Sequence, residues 1–511
     1  MALPSDPRPG TGRSALLFQS LPLRITVAAV ASNFDNAAIS DVAAADFDSD
    51  GRADIAVAWF ATDNENRYSN LRVLTLYFGN GSGGFTPTVS FNLFVPDIIE
   101  SLSIFRNGTA SLAVGDFDGD GDQDIAVAAH TGDEVWFIEN LGGRVFNTFL
   151  RFPIGGSNGL NRLTPPRGIA ADFNGDGRDE LAYLADPYLR INQQLIHFWR
   201  TSSTISNMTR AGANWEGTNA PATQETWAMA VADFDGDGRP DLCYSGEIPP
   251  LAEPVLVFWH NFNPSTGRFD VHVEHPAFRP SDLAVAYVRQ DCRPTLLVTD
   301  RDGTSVEVWQ PCGDAGIDYA RAQTLTGYAA LSPVLGMAAA VADLDGDGDP
   351  DFVTKQKAGD EADANQIELT LYRRGISAWQ RLQPTPIDTT GLVAGNPLDH
   401  ILRPRNLALA DLYGNTLPEI IGGFGPTPQP SLLGDDDVRL LELAIWPNSC
   451  LADVTRDGLT TVADLAAMLG SWLCAGDSGF LPDADLDRDG CVNVADLGIL
   501  LGDLGCSCCG Q

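Results

Sequence analysis

The sequence predicts a mainly β chain, a seven-bladed β-propeller followed by a small C-terminal α-helical module. Three observations predict it. An acidic loop between two short apolar runs recurs seven times, at intervals of 54 to 70 residues. Each copy is followed by a strand-like run ending in aromatics, then by a turn and a weaker strand. The last 62 residues break this rhythm and carry two further acidic loops, 32 residues apart, each running into an apolar helical stretch. A repeat of this length that contains four strand candidates and no helical periodicity describes a propeller blade.

The seven copies start at residues 46, 116, 172, 233, 287, 343 and 411. Five are intact. They hold Asp46, Asp48, Asp50 and Asp54; Asp116, Asp118, Asp120 and Asp124; Asp172, Asn174, Asp176 and Glu180; Asp233, Asp235, Asp237 and Asp241; and Asp343, Asp345, Asp347 and Asp351. Glycine occupies the sixth position in all five (Gly51, Gly121, Gly177, Gly238 and Gly348). Two copies are eroded. The fifth, from Tyr287 to Thr295, keeps only Asp291, and the seventh keeps Asp411 and Glu419 but has Tyr413 and Asn415 between them.

Strand counting assigns the chain ends. The seventh unit offers three strand candidates before the tail begins, so its fourth strand is missing. Residues 15–31 form an apolar stretch with no partner of their own, and they are expected to supply that strand. Such closure would leave no open edge between first and last blades. The expected division is a disordered N-terminus over 1–14, a propeller over 15–447 and a tail module over 448–511.

The acid spacing points to a hard cation. Asp at positions 1, 3 and 5 lines a tight loop with oxygens, Gly at 6 allows the sharp turn, and a backbone carbonyl at 7 and an acid at 9 complete the shell. Calcium suits such a shell better than magnesium, which demands a more regular one. The bland alternative is an Asp-Gly hairpin turn with solvated acids, which five copies in register disfavour. The units resemble FG-GAP repeats, also called VCBS repeats, of the integrin α-subunit propeller and many bacterial surface proteins. The resemblance covers roughly residues 15–447. It implies about five structural calcium ions, each pinning the hairpin between the first two strands of a blade. No ion is expected at the loop starting at Tyr287, and at best a weak one at the loop starting at Asp411.

In the tail, Asp453, Thr455 and Asp457 are followed by Asp464 at position 12, and Asp485, Asp487 and Asp489 by Asp496. Both loops open helical stretches that begin Val-Ala-Asp-Leu, so they read as EF-hand-type, loop–helix halves binding two calcium ions. The duplication resembles a dockerin domain, which implies a cohesin-like or surface scaffold protein as partner. Thr455 at position 3 and the six tail cysteines depart from the usual pattern. A calcium-folded cap without a partner is the alternative.

Charge and composition narrow the function. Thirty-two basic against 68 acidic side chains leave a net charge of −36, which argues against nucleic acid, whose binding needs Lys and Arg to replace phosphate counterions. No segment is long and apolar enough to span a membrane. Six cysteines in a short tail suggest disulfides and an oxidising compartment. They allow fifteen pairings, and their spacing lacks the paired CxxC of zinc sites. The expected location is extracellular or on the cell surface, although residues 15–31, interrupted by Gln19, Pro22 and Arg24, make a poor export signal. Ser157 lies in a Gly-rich stretch without the strand–turn–helix context of a nucleophile elbow. His197 and His260 fall inside strand candidates and read as structural. Trp136, Trp199, Trp259 and Trp309 keep one register and read as packing between blades rather than as sugar platforms.

The expected function is therefore recognition or adhesion rather than catalysis. The propeller would bind a protein or a glycan, and the tail would attach it to a partner. An accessory or catalytic part of a polysaccharide-degrading system and a structural surface protein are the alternatives.

Overall fold

The computed structural model describes residues 22–30, 36–62, 70–80, 84–92, 110–129, 134–153, 167–184, 196–201, 204–210, 216–217, 220–221, 223, 228–249, 251–288, 293–301, 305–312, 317–326, 337–344, 349–358, 366–374, 378–381, 407–412, 417–428, 439–446, 462–474, 484, 491–494 and 497. Seven sheets account for its strands. Blade 1 runs Asn36–Ala45, Asp54–Thr62, Asn70–Gly79 and Phe85–Asn92. Blade 2 runs Ala110–Gly115, Asp124–Ala129, Glu134–Asn140 and Phe146–Pro153. Blade 3 runs Arg167–Ala171, Glu180–Leu184, Ile196–Arg200 and the two-residue Thr209–Arg210. Blade 4 runs Met229–Ala232, Asp241–Ile248, Glu253–Asn263 and Arg268–Glu274. Blade 5 runs Pro280–Ala286, Thr295–Asp300, Ser305–Pro311 and Tyr319–Thr326. Blade 6 runs Ala338–Ala342, Asp351–Ala358, Gln366–Arg374 and Trp379–Arg381.

Blade 7 joins the two ends of the repeat region. Leu407–Ala410, Glu419–Pro428 and Arg439–Trp446 are followed in the sheet by Leu23–Val30. That strand pairs antiparallel with Arg439–Trp446, from Leu23 opposite Ile445 to Val30 opposite Arg439, with a bulge between Thr26 and Ala28. It begins later than the apolar stretch read from the sequence, whose residues 15–21 lie outside the described residues.

The first strand of every blade touches the first strands of both neighbours, and the contacts run unbroken from blade 1 through blade 7 and back. These strands are rich in Ala, as in Ala338–Ala342 and the Ala43, Ala44 and Ala45 run. Small side chains let seven backbones converge on one axis. The apolar core is divided accordingly. Seven buried clusters each span two adjacent blades, including one that joins blade 1 (Val42, Ile55, Val57) to blade 7 (Leu441, Leu443, Ile445). Second strands are sandwiched between two neighbours, so they are apolar on both faces, like strands of a doubly covered sheet. All six residues of Thr295–Asp300 are buried.

Trp199, Trp259 and Trp309 are buried in these clusters, and Trp136 packs partly buried against the cluster between blades 1 and 2. The tryptophan register thus serves packing between blades. One strand goes beyond four per blade: Glu216–Gly217 adds to blade 4, parallel to Arg268–Glu274. It comes from the long connection after blade 3 and covers the outer edge of blade 4, the kind of edge that otherwise templates association.

In the tail the described residues form one helix, Val462–Gly470. Met468 packs with Ala484 and Val492, flanked by Leu465, Ala467 and Leu497. A disulfide joins Cys474 to Cys491, one of the pairings left open by the sequence. Asp453, Thr455, Asp457, Asp485, Asp487, Asp489 and Asp496 lie outside the described residues, as does most of the second helical stretch; of Asp464 only the backbone is described, inside the helix. No described helix is long and apolar enough to cross a membrane.

Candidate functional site

The acidic loops join the first and second strands of their blades and share one frame. The first acid accepts backbone N–H groups from its own loop. Asp116 takes those of Gly119 (2.7 Å), Asp120 (3.1 Å) and Gly121 (3.0 Å). Asp172 repeats this with Gly175, Asp176 and Gly177. Asp46 and Asp233 do so with Gly51 and Gly238. The fifth-position acid accepts the seventh-position N–H in four loops, as Asp120 does from Asp122 at 2.9 Å. The sixth position is left-handed in the four loops where it is described, with φ of +86° at Gly51 and +95° at Gly121, which accounts for glycine there.

The ninth-position acid opens the second strand, is buried, and ties the loop to the blade. Asp54, Asp124, Glu180, Asp241, Asp351 and Glu419 each accept the N–H of the second loop residue, from Phe47, Phe117, Phe173, Phe234, Leu344 and Leu412 respectively. Asp54, Asp124 and Asp351 also accept an N–H from the end of the third strand, at Gly79, Asn140 and Arg374.

Sequence reasoning missed two parts of this frame. The second-position side chain is buried in all six loops, and Phe117, Phe173 and Phe234 stand edge-on to third-strand rings Phe137, Phe198 and Phe258. The fourth position is also left-handed, at Gly119, Gly175 and Gly236 and at Ser49. The recurring Asp-Phe-Asp-Gly-Asp-Gly string carried both signals.

The structure gathers some of the expected ligands and not others. Carboxylate oxygens of Asp46, Asp48 and Asp50, of Asp116, Asp118 and Asp124, and of Asp233, Asp235 and Asp241 come within 4.8 Å of one another. Asp54, Asp120 and Asp237 stand outside those triplets. In the third loop Asn174 Nδ2 donates to Glu180 Oε1, and Asp172 and Asp176 form no such triplet among the described residues. Of the sixth unit, Asp343 and Asp351 are described; Asp345 and Asp347 are not. In the eroded fifth unit Tyr287 replaces the first acid, and its hydroxyl accepts the Asp233 N–H of the preceding loop at 3.4 Å. His260, read as structural, lies with Nδ1 3.1 Å from Asp235 Oδ2.

The electrostatics suit a hard divalent cation. Burial, with neighbouring carboxylates adding to it, raises Asp124, Glu180 and Asp241 to a pKa of about 8, and Asp54 and Asp118 to about 6. Asp118 Oδ1 is buried with no hydrogen-bond partner, an unsatisfied acceptor of the kind that a cation would take. Oxygen donors only, several of them ionisable, are the donor set that calcium selects.

The loops also contact one another across blades. Asp179 in the third loop exchanges hydrogen bonds with the Asp116 backbone, Arg178 Nε donates to Asp118 O, Ser49 Oγ donates to Asp122, and Asn140 Nδ2 donates to Phe47 O. Towards the axis, Asp41 Oδ2 accepts the Leu112 N–H and Asp282 Oδ2 the Ala339 N–H, each stitching one first strand to the next.

Residues 46–127, 116–183 and 172–244 match the FG-GAP-like repeat. These FG-GAP-like segments begin at the first acidic loop and end in the second strand of blade 4, and the loops in them are four of the five intact ones. No curated protein sequence matches the chain. Among solved structures, a crystal structure of BBS1N in complex with ARL6DN, soaked with mercury, aligns over 82% of this chain and 97% of its own, at 11% identity and a TM-score of 0.39. A humanized mutant of the Chaetomium thermophilum Polycomb Repressive Complex 2 bound to the inhibitor GSK343 aligns over 84% and 97%, at 10% identity and a TM-score of 0.43.

Proposed function

We propose that the chain is a secreted or cell-surface recognition protein whose propeller is stiffened by calcium and binds a protein or a glycan. The observation that carries this is the repetition of one carboxylate cage, centred on Asp116, Asp118 and Asp124 and again on Asp233, Asp235 and Asp241. Buried acids crowded this way repel one another until a cation joins them. A divalent ion held there bridges the start of the loop to the second strand, because Asp124 and Asp241 already bind both. Loop and blade then move as one body, and the rigid blades carry the connections in which a ligand would be recognised. The FG-GAP-like repeats support a recognition-type fold, and fold alone does not name the ligand.

The tail belongs to the same proposal as a dockerin-like module that attaches the propeller to a cohesin-like or scaffold partner. Its duplicated loop–helix pattern and the Cys474–Cys491 disulfide, which fits an oxidising compartment, support this. Calcium titration of the full chain tests the proposal. Saturable binding of several ions, with a melting temperature that rises on calcium addition and falls on chelation, is expected. An unchanged melt with no bound calcium would refute it.

A further inference from the structure

We infer that the loop of blade 1 is filled from within the protein, by the guanidinium of Arg144 in blade 2. This inference rests on calcium binding by the other loops, and it sets the first loop apart from them. Nε and Nη2 of Arg144 converge on Asp48 Oδ2 at 2.7 and 2.6 Å. Asp48 is the third-position ligand of its loop, and its other oxygen accepts the Asp50 N–H at 3.2 Å. Both oxygens are therefore engaged, and one of them by a fixed positive charge. Asp50 is paired as well, with Arg52 Nη1 at 3.2 Å from its Oδ2.

The arrangement is held from three sides. The guanidinium lies over the Phe78 ring of blade 1, 4.6 Å from its centroid, a favourable placement for a cation. The backbone of Arg144 is left-handed, with φ of +67°, a conformation that costs energy for a side chain of this size and persists only where the surroundings impose it. Gly142 and Gly143 are left-handed beside it, and the turn is closed by Leu141 N–H to Val145 O at 2.9 Å. This strained turn aims Arg144 across the blade boundary into the loop. The corresponding acid of the second loop, Asp118, has an oxygen with no hydrogen-bond partner, and that of the fourth, Asp235, meets a histidine.

Arg144 thus supplies at the third-position ligand the positive charge that a calcium ion would otherwise bring, and it ties blade 1 to blade 2 without one. The propeller should hold one tight calcium fewer than its count of intact loops. Calorimetric titration of the full chain with calcium chloride, comparing wild type with Arg144→Gln, tests this. The variant is expected to bind one more ion, its first loop tightening by about tenfold or more as the competing charge leaves. Matching isotherms, or a lost ion in the variant, would overturn the inference and leave the calcium loops standing. Binding of no calcium by either protein would overturn the calcium proposal itself, and this inference with it. Should Arg144→Gln not fold, Asp48→Asn decides instead. The number of tight ions stays at the wild-type value if Arg144 fills the loop and drops by one if calcium does.

Discussion

At the scale of single residues, the ninth-position acids carry two duties that pull in different directions. Asp124 accepts the Phe117 and Asn140 N–H groups while fully buried, which is a structural task needing only an acceptor. It also faces Asp118 and Asp116, where a negative charge is useful only with a cation present. Asp124→Asn keeps the shape, can satisfy one of the two N–H groups, and removes a ligand charge. It is expected to lower stability by about 1–3 kcal/mol in calcium and to abolish one calcium in a titration. In chelator the same substitution should cost less, since no ion is lost and burial already holds the acid largely protonated at neutral pH. Urea unfolding with and without calcium measures both. If the variant lost equal stability in both media, the acid would be a hydrogen-bond anchor and nothing more.

At the scale of the loop, several acids titrate together, and whether they do so near neutral pH depends on the cation. In chelator, Asp54 and Asp118 protonate near 6 and Asp124, Glu180 and Asp241 near 8, all above the usual carboxylate value near 4. The folded state then binds more protons than the unfolded chain between about pH 4 and 8. Stability is fullest below pH 4 on this account and is lost as pH rises through 6 to 8. Lys355, buried and donating to Gly423 O, is lowered to about 7 by burial. The unfolded chain binds more protons there between about pH 7 and 10.5, so its effect opposes that of the acids only above pH 7. Melts from pH 5 to 7 isolate the acids, and in chelator the melting temperature should fall across that window. With saturating calcium that fall should disappear, because the ion holds the acids ionised in the folded state and they are already ionised in the unfolded chain above pH 5. An equal fall in both media would show that no cation joins the acids.

The frame of the loop was legible in the sequence because it is local: the acids, Gly51 and Gly121 all act within nine residues. What was illegible comes from partners far along the chain. Arg144 reaches Asp48 across 96 residues, and Ser49 reaches Asp122 across 73. The parallel strand Glu216–Gly217 is two residues long, too short for any periodicity to announce.

At the scale of the whole molecule, closure is the least local step of folding. Leu23–Val30 must find Arg439–Trp446, more than 400 residues away in sequence, and the entropy of that loop rises only slowly with length. The cost is small once the other six blades form a template. Ile25, Val27 and Ala28 then pack against the cluster shared by blades 7 and 1. Without this strand, Arg439–Trp446 becomes an open edge, and open edges recruit other chains. Removing residues 1–30 is expected to lower the melting temperature and to produce dimers or larger species on size-exclusion chromatography. A peptide spanning residues 22–31, added in trans, should restore the monomer by filling the same edge, as strand addition does elsewhere. A truncated chain that stayed monomeric with an unchanged melt would mean that blade 7 is complete without it and that the ring is closed by first-strand contacts alone.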